Sequence, residues 1–184
     1  RGLAGAIPLY HIAAAAAREG RTLAEVASLA QRYADSMATI AVAARCATHP
    51  ATGAEFGDLG DVDMEIGMGQ HGEGGGGRQP MKTAKETIEI MANALVKDIP
   101  LQAGDRAFVM INGSGATTLM EMFILYKDCV HYLEGLGIEV VANMVGEILT
   151  VQEQAGFQLN IAKWDEEFIR LWNTPCHTPA FSKE

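Results

Sequence analysis

The sequence predicts an α/β fold. Three features carry that expectation. Short apolar runs rich in β-branched residues recur through the chain, including TIAVAA at 39–44, RAFVMI at 106–111 and IEVVANM at 138–144. Between them lie stretches of helical length, two of them opened by Thr-x-x-Glu. Glycine and proline punctuate the junctions, so strands and helices alternate as an α/β sheet requires.

The elements follow in order. Residues 3–19 are apolar and alanine-rich and stop at Gly20, a helix with a glycine at its C-terminal end; Pro8 lies in its first turns. Thr22-Leu-Ala-Glu25 is a capping box, so a second helix runs from there to about Ser36. Thr39 to Ala44 reads as a buried strand, and residues 47–62, with Pro50, Gly53, Gly57 and Gly60, as a loop. Asp63 to Met68 is a strand entering a glycine-rich stretch. Thr83-Ala-Lys-Glu86 is a second capping box, and its helix extends to about Lys97. A turn at Pro100 to Gly104 leads to the strand Arg106 to Ile111, which breaks at Asn112-Gly113-Ser114-Gly115. Thr117 to Gly135 is a long amphipathic helix and Ile138 to Met144 a strand. In Phe157 to Lys163 the residues Phe157, Leu159 and Ile161 point inward. Glu166 to Trp172 is a short helix, followed by a proline-rich tail. Trp164 and Trp172 are expected to close that end of the core.

Composition narrows the function. The chain has 184 residues, 48% of them hydrophobic, enough for one domain or slightly more. A net charge of −9 argues against a nucleic-acid or anionic-membrane partner. No apolar run approaches the roughly 18–20 residues of a membrane span. The start at Arg1 lacks an initiator Met and a signal peptide, so the chain is expected to begin mid-protein. Cys46, Cys129 and Cys176 are odd in number and far apart, as in reduced cytosolic thiols rather than a disulfide frame or zinc site.

The stretch EIGMGQHGEGGGG, residues 65–77, raises the main question about chemistry. Gly67, Gly69 and Gly72 spell G-x-G-x-x-G, but no helix opens there, so a dinucleotide fingerprint is rejected. His71 stands alone among small residues that leave room for a ligand; a solvated loop histidine is the competing reading. No second histidine or cysteine sits at i+2 or i+4 to favour a metal. His131 and His11 read as partly buried helix residues, and His49 as a loop residue. Cys176 and His177 are sequence neighbours, which is not nucleophile–base geometry. The Asn112–Thr117 turn reads as a tight strand–helix junction, with an anion site at the helix start as the alternative.

Four ordered stretches resemble the substrate-binding subunit of dihydroxyacetone kinases: RGLAG, DMEIGMGQHGE, LQAGDRAFVMINGSGATTLME and LWNTPCHTPAF. The most specific is M-E-x-G-x-G-x-H-G-E, Met64 to Glu73, supported by W-x-x-P-x-H-T-P-A, Trp172 to Ala180. The resemblance runs from Arg1 to about Phe181. It implies that His71 is the catalytic and substrate-binding residue, forming a covalent hemiaminal with dihydroxyacetone or a similar small ketone. It also implies a two-layer mixed β-sheet with helices, residues 37–184, bearing that histidine. Residues 1–36 would be the last two helices of a missing N-terminal α/β domain, packing poorly on the rest.

Further implications concern partners. The family subunit binds no nucleotide, so no cofactor is expected in this chain. ADP or ATP with magnesium would sit on a nucleotide-binding partner subunit or domain, fed by a phosphotransferase relay or by ATP. A homodimer in the cytoplasm is expected. The alternative is a relative that captures dihydroxyacetone on the same histidine and acts as a transcriptional co-activator without kinase activity. Two departures stand out: Gly74 to Gly77 replace the proline usual after H-G-E, and Asn112-Gly113-Ser114-Gly115 replaces a turn that commonly has two asparagines and a bulky apolar residue.

Overall fold

The computed structural model describes residues 2–68 and 75–184. A six-stranded mixed sheet forms the centre, in the order β3-β2-β1-β6-β4-β5. Its strands are β1 (Met37–Arg45), β2 (Asp63–Ile66), β3 (Arg78–Pro80), β4 (Arg106–Gly113), β5 (Glu139–Gly146) and β6 (Ala155–Lys163). Only β4 and β5 run parallel, joined through α4 (Leu119–Gly135); the remaining pairs are antiparallel. A parallel pair needs such a crossover, whereas antiparallel neighbours do not. The helix α3 (Ala84–Asp98) precedes β4. At the start, a 3-10 turn at Leu3–Gly5 leads into α1 (Ala6–Arg18) and α2 (Leu23–Asp35). The chain closes with α5 (Glu166–Trp172) and a small hairpin of β7 (Cys176–His177) and β8 (Ser182–Lys183).

Local sequence sets most boundaries. Thr22 and Thr83 each accept the backbone N–H of the glutamate three residues on, and that glutamate accepts the threonine's own N–H. A third capping box, Thr118 with Glu121, starts α4 one residue later than the periodicity suggested. The same four-letter signal was present in the sequence. Gly20 follows α1 at φ +87, the left-handed ending that glycine adopts without strain.

Helices cover both faces of the sheet. On one face α3 and α4 bury Ile88, Met91, Leu95, Met122, Leu125 and Leu133 against Val109, Ile111, Phe157, Leu159 and Ile161. On the other, α1, α2 and α5 bury Ile12, Ala16, Leu29, Tyr33, Phe168 and Leu171 against Phe108, Met110 and Ala162. This corrects the expectation that residues 1–36 pack poorly. Both helices turn an apolar stripe to the sheet, and they add a layer to the two formed by the sheet with α3 and α4. It also explains why β6 is buried along nearly its whole length: Phe157, Leu159 and Ile161 face one helix layer, and Gln158, Asn160 and Ala162 face the other. The Asn160 amide donates to Thr39 Oγ1 at 2.7 Å and to the Ala38 carbonyl at 3.2 Å, while its buried Oδ1 has no hydrogen-bond partner among the described residues.

The second layer is tied at its rim by ion pairs. Arg21 bridges Glu167 at 2.7 Å and Glu19 at 3.1 Å; Arg32 pairs with Glu167 and with Asp165, and Arg170 with Glu19. The Arg21 guanidinium, with Arg32 beside it, holds the Glu167 carboxyl below its ordinary range despite partial desolvation. A carboxylate depressed in the folded state stabilises above its unfolded pKa and loses that contribution as pH falls through the lowered value. Stability should therefore decline as pH falls from 4.5 through the lowered value, and Glu167→Gln should flatten that part of the profile. Chemical denaturation of both proteins from pH 6 to 3 measures it; parallel curves would remove Glu167 from the explanation.

Aromatic packing is densest where α5 meets the sheet. Phe108 stacks on Trp164 with centroids 4.8 Å apart and planes 12° apart, and Trp172 meets both edge-on at 5.5 and 5.7 Å. Trp164 and Trp172 are 2% and 5% exposed, in line with their expected place in the core. Trp172→Ala should cost about 3–5 kcal/mol. That corresponds to a melting temperature lower by roughly 10 °C in a chain of this size. An unchanged thermal transition would contradict the packing.

Candidate functional site

The segment singled out by sequence, residues 65–77, hangs from the sheet edge opposite β5. Strand β2 pairs with β1 over only two positions, Val42 with Ile66 and Ala43 with Glu65, before the chain leaves the ladder. It returns as β3, in which Arg78 lies opposite Glu65 and Gln79 opposite Met64. His71 and its neighbours at 69–74 lie outside the described residues. The ends of that segment are defined in detail.

Backbone alone builds the exit. Gly67 sits at φ +85 and its N–H donates to the Ala41 carbonyl at 2.6 Å. Met68 then turns inward, 9% exposed, beside Ala43, Cys46 and Leu59, and the Gln154 amide reaches its sulfur at 3.5 Å. On the return, Gly75 donates to Glu65 Oε1 at 2.8 Å and Gly76 to the Ile66 carbonyl at 2.7 Å. The two limbs cross with no room for side chains. A Cβ on Gly75 would lie 1.9 Å from the Gly67 oxygen, and one on Gly67 would lie 2.8 Å from the Gly76 nitrogen. The glycines at 67 and 75 thus serve a close backbone crossing, which accounts for part of a spelling that matched a dinucleotide fingerprint by letters only.

A cavity of about 220 Å³ opens beside this neck, lined by Cys46, Asp58, Glu65, Met68, Arg78 and Gln154 among others. Burial, reinforced by the charges of Glu55 and Glu65, pushes the Cys46 thiol up, so it is a neutral lining group rather than a nucleophile. Cys129 is more deeply placed in α4, its pKa pushed up to about 12 by burial. A second cavity of about 260 Å³ lies on the α3–α4 face, mostly apolar, with Lys82 and Glu121 at its margin.

The other candidates resolve into structural parts. The His11 ring is buried and its Nε2 lies 3.0 Å from the Trp172 carbonyl; burial is the main cause lowering its pKa. His49 accepts the Ala51 N–H at 3.2 Å and packs against Phe56. His177 lies 2.7 Å from Ser182 Oγ across the β7–β8 hairpin. His131, expected to be partly buried, is exposed. The buried stripe of α4 is Met122, Leu125, Cys129 and Leu133, and position 131, two residues from Cys129 and from Leu133, falls off that face. Among the described residues, no group of three or more His, Cys, Asp or Glu is placed to hold a metal ion, and no helix is long and apolar enough to cross a membrane.

The Asn112 turn also takes its structural reading. Strand β4 continues through Gly113, which pairs with Phe157. The Asn112 side chain is fully buried, donating to the Leu149 carbonyl and accepting the N–H groups of Ile148 and Leu149 at 2.8–2.9 Å. The N–H groups of Ser114 and Ala116 donate to the carbonyls of Gly156 and Gln154, and Glu121 accepts the Thr118 N–H at 2.8 Å. Those donors are committed within the protein, which leaves the tight junction rather than an anion site.

The sequence profile of the Dak1 domain matches residues 1–180. The chain belongs to the Dak1 family. Within it, the dihydroxyacetone-binding subunit DhaK of a PTS-dependent dihydroxyacetone kinase from Listeria innocua is 34% identical over 182 residues, covering 98% of this chain and 55% of that protein. An L-erythrulose kinase from Pectobacterium atrosepticum is also 34% identical, over 187 residues, covering all of this chain and 32% of that protein. Among solved Dak1 structures, the dihydroxyacetone kinase operon co-activator DhaQ superposes with a TM-score of 0.89 at 28% identity, over 95% of this chain and 55% of its own. This Dak1 chain therefore spans about half the length of the Listeria relative and about a third of the Pectobacterium one.

The crossing at the neck yields a direct test. Gly75→Ala places a methyl against the Gly67 carbonyl, so the β2–β3 pairing should open. Amide exchange at Arg78 and Gln79 should speed up by about tenfold or more, an order expected when a ladder hydrogen bond worth roughly 1 kcal/mol or more is lost. Unchanged protection would show that the limbs do not cross as described.

Proposed function

We propose that this chain is the histidine-bearing part of a dihydroxyacetone-type kinase subunit, in which His71 captures a short-chain ketose as a hemiaminal. The observation that carries this reading is the Dak1 match across residues 1–180, which includes the M-E-x-G-x-G-x-H-G-E stretch at Met64 to Glu73. The names of relatives support the ligand class: one binds dihydroxyacetone and another phosphorylates erythrulose. In this reading residues 1–36 end an N-terminal subdomain and residues 37–184 form the subdomain that carries His71.

The chemistry requires a neutral imidazole. One ring nitrogen adds its lone pair to the ketone carbon, forming a C–N bond while the carbonyl π pair moves to oxygen. The ring gives up its other N–H proton and the new hydroxyl gains one, so the adduct is the sum of the two reactants. Held this way, a substrate hydroxyl is positioned for phosphoryl transfer, in which positioning supplies much of the rate. Glycerol has no carbonyl and is rejected for that reason. In this proposal the phosphoryl donor is ATP with magnesium on a partner subunit or domain, supplied as ATP or regenerated there from bound ADP by a phosphotransferase relay, and the kinase subunit itself works as a cytoplasmic homodimer.

A second reading has a specific support: the DhaQ structure that superposes at 0.89 is a co-activator. A binding module would keep the capture histidine and lack phosphoryl transfer. The test is intact-protein mass spectrometry of the complete subunit with dihydroxyacetone, beside a kinase assay with its nucleotide-binding partner. Capture should add the whole mass of the ketone, with no water lost. It should vanish in His71→Ala without a change in melting temperature, and fall as acid protonates the ring, whose ordinary pKa is about 6.5. Capture without phosphoryl transfer would select the co-activator reading, and capture surviving His71→Ala would overturn both.

A further inference from the structure

We propose that the apolar cavity between the first turns of α3 and α4 binds a medium-chain carboxylate, its chain against the apolar floor and its head group on Lys82. Among the described residues, none from 65 to 77 lines this cavity, so the site is separate from the segment that holds His71.

The floor is apolar. Val42 of β1, Met64 of β2 and Phe157 of β6 line it from the sheet and Leu125 from α4, while Met81 and Ile124, 45% and 43% exposed, stand at the mouth. Polar bonds fix the walls. The Thr87 hydroxyl donates to the Thr83 carbonyl at 2.9 Å, and capping boxes at Thr83 and Thr118 set both helix starts. Before α4, Thr117 Oγ1 donates to the Gly156 carbonyl at 2.6 Å and accepts the Gly156 N–H at 3.1 Å. A Cβ on Gly156 would lie 2.2 Å from the Val42 oxygen, so β6 and β1 meet there without side chains between them. Protein interiors keep few voids larger than a water molecule. A preformed apolar hollow with few polar groups is the usual form of a small-molecule site.

Size and charge together select the ligand. The cavity measures about 260 Å³. An apolar cavity of about 150 Å³ holds benzene, so this one takes roughly ten non-hydrogen atoms. Two charged side chains line it, Lys82 and Glu121. Glu121 is exposed, and its Oε2 accepts the N–H and the hydroxyl of Thr118 at 2.8 and 2.6 Å. Lys82 is half-buried and makes no hydrogen bond or ion pair among the described residues. The Glu86 carboxylate senses its charge from further off and is itself bonded to Thr83. A half-buried ammonium without a close partner calls for an anion. A monocarboxylate with a straight chain of about six to eight carbons meets both the volume and the charge.

The test titrates the complete subunit with octanoate by calorimetry, beside butyrate, hexanoate, decanoate and 1-octanol, and methionine-methyl NMR locates the ligand. Affinity should rise about fourfold per methylene from butyrate to octanoate, the gain from burying one CH₂, and level off at decanoate, which outgrows the cavity. The methyl groups of Met64 and Met81 should shift, while those of Met37, Met110 and Met144 on the opposite face stay still. Lys82→Met, which keeps an apolar stem, should weaken octanoate by about tenfold or more and leave octanol unchanged. Ala44→Leu, which fills the cavity from β1, should abolish binding of both. Melting temperatures are recorded for each variant; should Ala44→Leu not fold, the chain-length series and Lys82→Met decide. No octanoate binding, methyl shifts on both faces alike, or full octanoate affinity in a folded Lys82→Met would overturn the proposal. So would an affinity that falls as protein concentration rises, which would give the cavity to a second copy of this chain.

Discussion

Strands β4 and β6 have no solvent-facing side, and that condition organises the molecule. A strand buried on both faces needs an apolar layer above and below. Here α3 and α4 supply one, and α1, α2 and α5 supply the other. Of the polar residues caught between them, Asn112 on β4 has both side-chain ends hydrogen-bonded, and Asn160 on β6 donates to the Ala38 carbonyl and Thr39 Oγ1. Asn112 fixes the β5–β6 connection from beneath, and Asn160 joins β6 to β1 beside the N-terminal turn.

The sheet is built differently at its edge. From β1 outward, pairing shortens to two registered positions in β2 and three in β3, and side-chain packing gives way to backbone contact. Glycine is what makes that exchange work: Gly67 and Gly75 cross at distances that exclude a Cβ. The firmly packed centre and the backbone-built edge meet at β2. There Met64 and Ile66 are anchored in the core while Glu65, between them, reaches out to Gly75.

Dak1 relatives of quite different overall length match nearly all of this chain, which covers 55% of a DhaK subunit and 32% of an L-erythrulose kinase. The core would have to stay constant among them, because two helix layers and the sheet depend on one another. The cavity beside the neck has Asp58, Glu65, Arg78 and Gln154 among its lining groups.

The sequence by itself determined the elements wherever the signal is local. The capping boxes at Thr22 and Thr83 follow from hydrogen bonds three residues apart, and the strands around Val42, Val109 and Leu159 and the short helix ending at Trp172 were legible as short runs of characteristic pattern. The family was legible too, through four ordered motifs, and with it the interest of His71, although the ligand role of that residue came from resemblance rather than from spacing. Tertiary structure decided what periodicity cannot express. Residues 1–36 became part of one helix layer because the second face of β4 and β6 must be covered, a demand that appears only once the strands lie side by side. The short strand Arg78–Pro80 exists only because β2 offers it an edge. The contact of Glu65 was invisible for the same reason: it accepts a backbone N–H ten residues away, brought near by a crossing of glycines that no local pattern encodes.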